Sequence, residues 1–311
     1  MAARLGIEGL FSVTVTPFDA DGALDLGAFS TILRWHIAQG SAGLALAADN
    51  GEASLLTLTE RQAMAETAVR VADGRLPVIM GTMGTHAFTA ADTIKMAEVA
   101  AAAGVTALLI SPAPYNGQAT RAELVRRFRD IHRAVPLPVI AYNNPRHFGV
   151  GIEGDTLQQL MDEVDVAGVK QSSRDFREVS YAIERFGDRV SMMIGCAWFI
   201  MPGLSMGAAG VLSTGVDLLG GGSARLLELA RGPACAERTR LHLAMSRAYS
   251  FLLETGTAPA ALKALLGMLG LPSGNPRLPV LPLDAENAAR LRTLFTELGV
   301  LHAGREARLG A

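Results

Sequence analysis

The 311-residue chain lacks several features on which common classes of protein depend. Only 19% of its residues are charged, and the 28 basic and 30 acidic side chains form no basic cluster. Nucleic acid and an anionic membrane are therefore poor candidates as partners, and a small-molecule substrate is the expected one. Half of the residues are hydrophobic, which is enough for a large core and argues against a disordered chain.

Cysteine is scarce. The two cysteines, Cys196 and Cys235, stand at no metal-ligand spacing, and a core of this size needs no disulfide. His86 has no second histidine or acid at ligand spacing, so a loop or helix-cap role is predicted for it. We therefore expect no metal ion and a reducing, cytoplasmic location. The first residues show no secretory signal pattern, which agrees with that location.

Uninterrupted apolar stretches of membrane-spanning length are also lacking. Residues 191–216 carry no charge and are numerous enough to cross a bilayer. They are interrupted by Gly195, Pro202, Gly203, Gly207, Gly210 and Gly215. These interruptions predict a strand, a short helix and another strand, rather than one spanning helix.

Lysine is the scarcest charged residue, with Lys95, Lys170 and Lys263 standing against 25 arginines. Lys170 closes the apolar run VAGVK at 166–170, which suits a strand buried on both faces. One interpretation is that the strand reaches the surface at Lys170, so that the ammonium extends into water. The other is a Schiff-base lysine, because burial lowers the pKa and leaves a neutral amine that attacks a carbonyl carbon.

Short apolar runs alternate with longer amphipathic stretches along most of the chain, a pattern typical of parallel α/β folds. The predicted strands cover residues 11–16, 43–47, 77–81, 107–111, 139–143, 166–170, 190–195 and 210–213. Between them, helix-capping signals occur at Thr89 with Asp92 and at Thr120 with Glu123. Eight strand-helix units in about 220 residues predict a (β/α)8 TIM barrel. A doubly wound sheet is the alternative, because periodicity does not show closure.

The last part of the chain changes character. Residues 1–232 are assigned to the barrel, and residues 233–311 to a C-terminal helical extension with helices at 233–254, 258–269 and 285–298. A proline-rich connector separates the last two of these helices.

Polar residues follow three of the predicted strands, and barrel chemistry is built at such carboxyl ends. They are Asp49, Asn50, Gly51 and Glu52 after the second strand, Tyr142 and Asn143 at the end of the fifth, and Gln171, Ser172 and Ser173 after Lys170. The fifth and sixth strands are neighbours in a barrel, so Tyr142 and Lys170 are expected side by side. A phenol in that place can move protons while an imine forms and breaks.

These residues resemble the dihydrodipicolinate synthase and N-acetylneuraminate lyase family. The shared motifs are TPF at 16–18, Gly51-Glu52, YNNP at 142–145, GVK at 168–170, GVLS at 210–213, and the C-terminal LGLPSG and NPRLP. The resemblance spans nearly the whole chain. It implies a (β/α)8 barrel with a C-terminal helical extension, assembled as a homo-oligomer, usually a tetramer. It also implies that Lys170 is the imine-forming lysine and Tyr142 the catalytic tyrosine.

Three positions depart from the family pattern. Where the family has two hydroxyl residues before Gly-Glu, this chain has Asp49 and Asn50, and an acid at position 49 would repel a substrate carboxylate unless it is protonated or paired. In the synthase an arginine follows two residues after the proline of the tyrosine motif, whereas here that residue is His147 and Arg146 comes one residue early. Only Tyr115 stands where the family has paired tyrosines, one of which reaches a neighbouring subunit.

The resemblance implies a Schiff-base-forming lyase, either an aldolase or a dehydratase, that needs no cofactor. Its substrate would be a 2-keto acid, such as pyruvate or a 2-keto-3-deoxy sugar acid. The candidate substrate-binding residues are Asn50 and Gly51 at the carboxylate end, and Asp49, His147, Ser172 and Ser173 on the second-substrate side. Tyr115 is a further substrate-binding candidate. Glu52 has two open interpretations, as a substrate contact or as a support for its loop.

Two alternative functions are open. The first is dihydrodipicolinate synthase itself, which condenses pyruvate with aspartate semialdehyde, and which the changes at Asp49 and His147 disfavour. The second is a barrel that binds a keto acid without turnover. The presence of both Lys170 and Tyr142 disfavours that role, because a pure binder needs no imine chemistry.

Overall fold

The computed structural model describes residues 7–84, 89–113 and 115–301. Within them lie eight short strands whose residues are almost all buried. They are β1 (Gly9–Val13), β2 (Gly43–Leu46), β3 (Val78–Gly81), β4 (Ala107–Ile110), β5 (Val139–Asn143), β6 (Val166–Gln171), β7 (Ser191–Ile194) and β8 (Gly210–Ser213). Each predicted strand is therefore present, with its ends displaced by at most three residues.

The strands close into a barrel in which every neighbouring pair is parallel and follows chain order. Closure is seen at β1, where Phe11 is opposite Gly43 of β2 on one side and Leu212 of β8 on the other. An open sheet would leave two edge strands unpaired, so the doubly wound alternative is wrong. The predicted (β/α)8 TIM barrel is confirmed.

Helices follow the strands and cover the barrel. They are α1 (Leu26–Ala38), α2 (Leu58–Ala72), α3 (Ala90–Ala102), α4 (Arg121–Ala134), α5 (Pro145–Phe148), α6 (Gly154–Glu163), α7 (Phe176–Phe186), α8 (Ile200–Ser205), α9 (Gly215–Leu219), α10 (Gly221–Ala230), α11 (Ala236–Glu254), α12 (Ala258–Met268) and α13 (Ala285–Glu297). Both predicted caps are present: Thr89 accepts from the backbone N–H of Asp92, and Thr120 forms a reciprocal capping box with Glu123.

The uncharged segment 191–216 is divided as predicted. It contains β7, a 3-10 turn at Ala197–Phe199, the short helix α8 and β8. In the part of the chain that the structure describes, no helix combines the length and the apolar character that a membrane crossing requires.

The register between β5 and β6 contains an irregularity that bears on the site. Val139 is opposite Val166, whereas Ile140 is opposite Gly168, so Ala167 is an extra residue on β6. Such a bulge shifts every later pair by one position. As a result, Tyr142 lies directly opposite Lys170.

The first strand ends earlier than the predicted 11–16. Strand β1 stops at Val13, and the next residues turn across the mouth of the barrel. Pro17 has no N–H for a ladder, and the Thr16 hydroxyl donates instead to the carbonyl of Gly51 at 2.6 Å. The chain after β1 therefore supports the turn after β2.

The C-terminal helices are fastened to the loop after β2 by an ion pair between buried side chains. Lys263 of α12 places Nζ 2.5 Å from Glu52 Oε2 and donates to the carbonyl of Asn275 at 2.9 Å. The other Glu52 oxygen accepts from the backbone N–H of Arg277 at 2.8 Å. Both carboxylate oxygens of Glu52 are engaged in this way, which favours the interpretation that Glu52 supports its loop.

Candidate active site

A cavity of about 950 Å³ opens at the carboxyl ends of the strands. Residues from the loops after several strands and from α11 line it. Seven of the lining residues are candidates from the sequence: Asp49, Asn50, Glu52, Tyr142, His147, Lys170 and Ser172. The size suits a small-molecule substrate.

Lys170 is buried at the end of β6 and directs its ammonium nitrogen into this cavity. Its Nζ lies 4.0 Å from the ring centroid of Tyr142. Burial lowers the pKa of Lys170 to about 8, while the Asp49 carboxylate acts in the opposite direction. A substantial fraction of this amine is therefore neutral near pH 8, whereas an ordinary lysine is almost fully protonated there. The interpretation in which Lys170 extends into bulk water is wrong.

Tyr142 is 3% exposed, and its hydroxyl is held by two hydrogen bonds. The hydroxyl donates to Asp49 Oδ2 at 2.7 Å and accepts from Asn144 Nδ2 at 3.1 Å. Burial raises the pKa of Tyr142 well above its ordinary value, and the charge of Asp49 adds to this effect. Tyr142 therefore stays protonated, with its proton already directed at a carboxylate.

Asp49 and His147 come together from two loops. Asp49 begins a 3-10 turn, Asp49–Gly51, that directly follows β2. His147 lies on α5, which starts with Asn144 as N-cap and Pro145 in the first turn, an arrangement that suits a tight helical start. His147 Nε2 lies 3.6 Å from Asp49 Oδ1. The acid that replaces a family hydroxyl is thus paired on both of its oxygens.

Asn50 lines the cavity, but Gly51 does not. The backbone N–H of Gly51 donates to the carbonyl of Ala48 at 2.9 Å, so it is engaged within its own turn. The structure thus does not bring Gly51 to the cavity wall, and its contact with the substrate carboxylate stays a prediction. Asn50 is the member of the pair that can contact a ligand.

The two serines after β6 have different surroundings. Ser172 lines the cavity, and its buried hydroxyl has no hydrogen-bond partner among the residues described. It packs so closely on Gly195 that a Cβ at that position would lie 1.9 Å from Ser172 Oγ. Ser173 instead accepts from the backbone N–H of Asp175 at 3.1 Å and donates to Glu178 at 2.6 Å. Both contacts tie Ser173 to the start of α7, whose N-cap is Asp175, and its predicted contact with substrate stays a prediction.

Tyr115 is not brought to the cavity of its own chain. It is 84% exposed and forms a bridge with Gln118. Tyr115 is followed by a turn with positive φ at Asn116 and Gly117, and its predicted substrate contact stays a prediction. His86 lies outside the described residues. Cys196 is buried, and burial raises the pKa of its thiol.

Asn144, Arg174 and Tyr249 also line the cavity and were not predicted as site residues. Asn144 contacts the Tyr142 hydroxyl, and its place in YNNP was a signal that could have been used. Arg174 lies 5.1 Å from the ring centroid of Trp198, and Tyr249 comes from α11 and stacks edge-on against the same ring. Burial raises the pKa of Tyr249 to about 12, so it stays protonated. No local sequence pattern places a residue of the C-terminal extension in a barrel cavity.

The fold and site together define a closed parallel barrel with a buried lysine and a hydrogen-bonded tyrosine at the strand ends. The model of the dihydrodipicolinate synthetase family matches residues 6–298. The chain belongs to this family, as the motifs in its sequence indicated.

Individual relatives agree with this assignment. The chain is 31% identical over 296 residues to 4-hydroxy-tetrahydrodipicolinate synthase of Syntrophobacter fumaroxidans, covering 94% of this chain and 99% of that protein. It superposes on the dihydrodipicolinate synthase of Acinetobacter baumannii complexed with pyruvate with a TM-score of 0.88 and 25% identity, covering 95% and 100% of the two chains. YagE, an Escherichia coli K12 prophage protein of the same family in complex with pyruvate, gives a TM-score of 0.87 and 26% identity, covering 94% and 99%.

Proposed function

We propose that this protein is a Schiff-base-forming lyase that acts on a 2-keto acid. The observation that carries the proposal is the amine of Lys170, which is buried, has a lowered pKa and lies 4.0 Å from the ring centre of Tyr142. A neutral amine beside a hydroxyl that can exchange protons is what imine formation requires.

The proposed chemistry begins when the neutral amine of Lys170 attacks the carbonyl carbon of the keto acid. The nitrogen gives up one proton and the carbonyl oxygen takes one up, which gives the carbinolamine; a second proton on that oxygen then lets it leave as water and leaves the protonated imine. Tyr142 is the group that delivers and recovers these protons. The positive imine then draws electrons from the neighbouring carbon, so that a carbon-carbon or carbon-oxygen bond breaks or forms there.

We infer that Asn50 binds the carboxylate of the keto acid, because its amide and backbone N–H groups lie in the loop after β2. Ser172 is proposed to hydrogen-bond a hydroxyl of the rest of the substrate, since its own hydroxyl is buried in the cavity wall and lacks a partner among the described residues. Pyruvate as the keto acid is supported by its presence in two structures similar to this one.

The second candidate is the synthase reaction between pyruvate and aspartate semialdehyde. The names of relatives at 28–31% identity favour it. The site disfavours it, because His147 stands where the synthase pattern has an arginine and is already directed at Asp49. We therefore propose a 2-keto-3-deoxy sugar acid, or a similar hydroxylated keto acid, as the substrate class.

The test is inactivation by borohydride, which reduces an imine and traps it. Incubation with borohydride should inactivate the enzyme only when a keto acid is present, and the panel should include pyruvate and several 2-keto-3-deoxy sugar acids. Lys170→Met is the variant to compare, since it removes the amine and keeps the apolar stem. A non-catalytic keto-acid binder would bind members of the panel without being trapped by any of them.

By the family resemblance we also propose a homo-oligomer, a tetramer or a dimer, located in the cytoplasm. Light scattering on the purified chain tests the assembly. We also propose the division into a barrel at 1–232 and an extension at 233–311. The two parts share the site, since Tyr249 of the extension lines the cavity and Lys263 pairs with Glu52 of the barrel.

A further inference from the structure

We propose that Asp49 is the proton acceptor behind Tyr142, and that His147 passes that proton on to solvent. The three side chains would form a relay within one chain, in place of the family's relay of hydroxyl groups. This inference rests on the proposed function, because it concerns the protons that imine chemistry releases and consumes.

The contacts form a continuous series from the buried lysine to the surface. Lys170 packs on the ring of Tyr142, the Tyr142 hydroxyl donates to Asp49 Oδ2 at 2.7 Å, and the opposite oxygen of Asp49 lies 3.6 Å from His147 Nε2. Exposure rises in the same order, from 3% for Tyr142 to 26% for the side chain of Asp49 and 53% for that of His147. A relay to solvent requires such a gradient.

The groups that face Asp49 are mixed in charge. Lys170 of β6 and Tyr142 of β5 interact with it from the barrel, His147 from α5 and Tyr249 from α11. Arg146 of α5 lines the same cavity and interacts with Tyr249. Both oxygens of Asp49 thus have neighbours. The Tyr142 hydroxyl donates to Asp49 and accepts from Asn144, and both partners belong to this chain. The contacts that prepare Tyr142 for proton transfer are therefore complete in a single subunit.

The proton balance is simple. When the imine of pyruvate becomes an enamine, the methyl carbon loses one proton and its electron pair forms the new carbon-carbon double bond. Tyr142 takes that proton on its oxygen as its own proton moves to Asp49 Oδ2. Asp49 is then a neutral carboxylic acid with its proton on Oδ2. Rotation of the carboxyl group brings that proton to the side of His147 Nε2, the imidazole accepts it, and water finally removes it. No oxidant or further reactant is needed.

Exchange of the pyruvate methyl protons with deuterium, followed by proton NMR, measures this path without knowledge of the second substrate. Wild type should exchange the methyl protons in deuterated water. Asp49→Asn keeps the size and an acceptor for Tyr142 but cannot take its proton, so we expect exchange to slow by about 10². His147→Gln should slow exchange in dilute buffer, and added imidazole should restore it, because the position is open to solvent.

His132→Gln is the matched control. His132 lies on α4 and contacts the carbonyl of Leu137, before β5 and thus at the opposite end of the barrel from the cavity. Its replacement should leave both the exchange rate and the response to imidazole as in wild type. Asp49→Asn should not be restored by imidazole, because its replaced side chain is mostly enclosed.

A second readout separates the relay from a merely structural role of Asp49. The carboxylate favours the charged form of Lys170, so Asp49→Asn should shift the pH at which imine trapping is half complete to a lower value. Exchange in Asp49→Asn within about threefold of wild type would overturn the proposal, since positioned proton transfer contributes far more. A His147→Gln enzyme that exchanges normally in dilute buffer would overturn the role of His147.

The proposed function and the relay fail in different ways. Borohydride trapping with pyruvate should label wild type, Asp49→Asn and His147→Gln alike, given enough time. If wild type is not labelled, the Schiff-base function fails and the relay with it. If all three are labelled and exchange at equal rates, only the relay is overturned.

Discussion

At the scale of single residues, the proposed imine chemistry depends on how burial changes the pKa of Lys170. The cost of desolvating an ammonium group lowers its pKa, and here that effect exceeds the opposing attraction of Asp49. In the proposed chemistry the amine acts as a nucleophile because it is buried at the end of the strand, which leaves part of it neutral.

The first prediction concerns pH. Only the neutral amine attacks a carbonyl, so the initial rate of imine formation should rise with pH and reach half of its plateau at about pH 8, the pKa of Lys170. An unperturbed lysine would place that midpoint above pH 10. Stopped borohydride trapping at a series of pH values measures it, and a rate that still rises steeply above pH 10 would refute the lowered pKa.

The second prediction concerns Tyr142. Tyr142→Phe keeps the ring that packs on Lys170 and removes the hydroxyl that donates to Asp49. We expect kcat to fall by about 10² or more, the usual contribution of positioned acid-base catalysis, while circular dichroism stays unchanged. Near-normal kcat in the folded variant would assign proton transfer to another group.

Single residues also mark the limits of prediction from sequence. Lys170 and Tyr142 could be paired because each closes an apolar run and the runs are neighbours in a barrel. The hydrogen bond between Tyr142 and Asp49 spans 93 positions in the chain, and no local pattern reports it. Gly51 and Tyr115 were assigned to the substrate by resemblance, whereas backbone bonding in one case and an outward turn in the other decide their places.

At the scale of elements, the catalytic geometry depends on a bulge and on an ion pair. The extra residue Ala167 sets the register that places Lys170 opposite Tyr142. The ion pair between Lys263 and Glu52 fixes the loop that carries Asp49, and it links that loop to α12. The strands themselves were predictable from their apolar runs. No local sequence pattern predicts the bulge or a contact between residues 211 positions apart.

The third prediction tests this ion pair. Lys263→Met leaves the carboxylate of Glu52 buried without its cation, so the free energy of unfolding should fall by about 3 to 5 kcal/mol. Adding Glu52→Gln removes the unpaired charge and should recover part of the loss. Urea denaturation of wild type, both single variants and the double variant measures the coupling. Additive effects of the two changes would show that the pair does not act as a unit.

At the scale of the whole molecule, the family supplies a barrel on which different keto-acid reactions can be built. Fold and family were predictable from motifs that span nearly the whole chain. Substrate choice depends instead on a cavity shared by several loops and α11, where Tyr249 and Arg174 enter without a local signal. A fold alone therefore does not settle the reaction.

The fourth prediction separates this enzyme from a synthase. A synthase must bind two substrate carboxylates. Here Asp49 stands where the family has a hydroxyl residue, and His147 stands where the synthase has an arginine, which is a permanent cation. A lost charge-assisted hydrogen bond costs roughly 1.5 to 3 kcal/mol, so kcat/KM with aspartate semialdehyde should be about 10² to 10⁴ below that of a true synthase.

A coupled assay with pyruvate and aspartate semialdehyde, run beside a 2-keto-3-deoxy sugar acid, makes the comparison. Arg146 also lines the cavity, and it is the cation that could bind the second carboxylate in place of the arginine missing at position 147. Synthase turnover with kcat/KM of about 10⁴ M⁻¹s⁻¹ or more would therefore contradict the proposed substrate class.

The central claim is that Lys170 forms the imine, and peptide mass mapping after borohydride trapping tests it most directly. Pyruvate and borohydride should add the mass of the reduced adduct to the peptide that contains Lys170. The chain provides its own controls, because Lys95 is exposed on α3 and Lys263 is buried in its ion pair with Glu52. The account predicts label on Lys170 alone, and label on Lys95 or Lys263, with Lys170 unmodified, would contradict it.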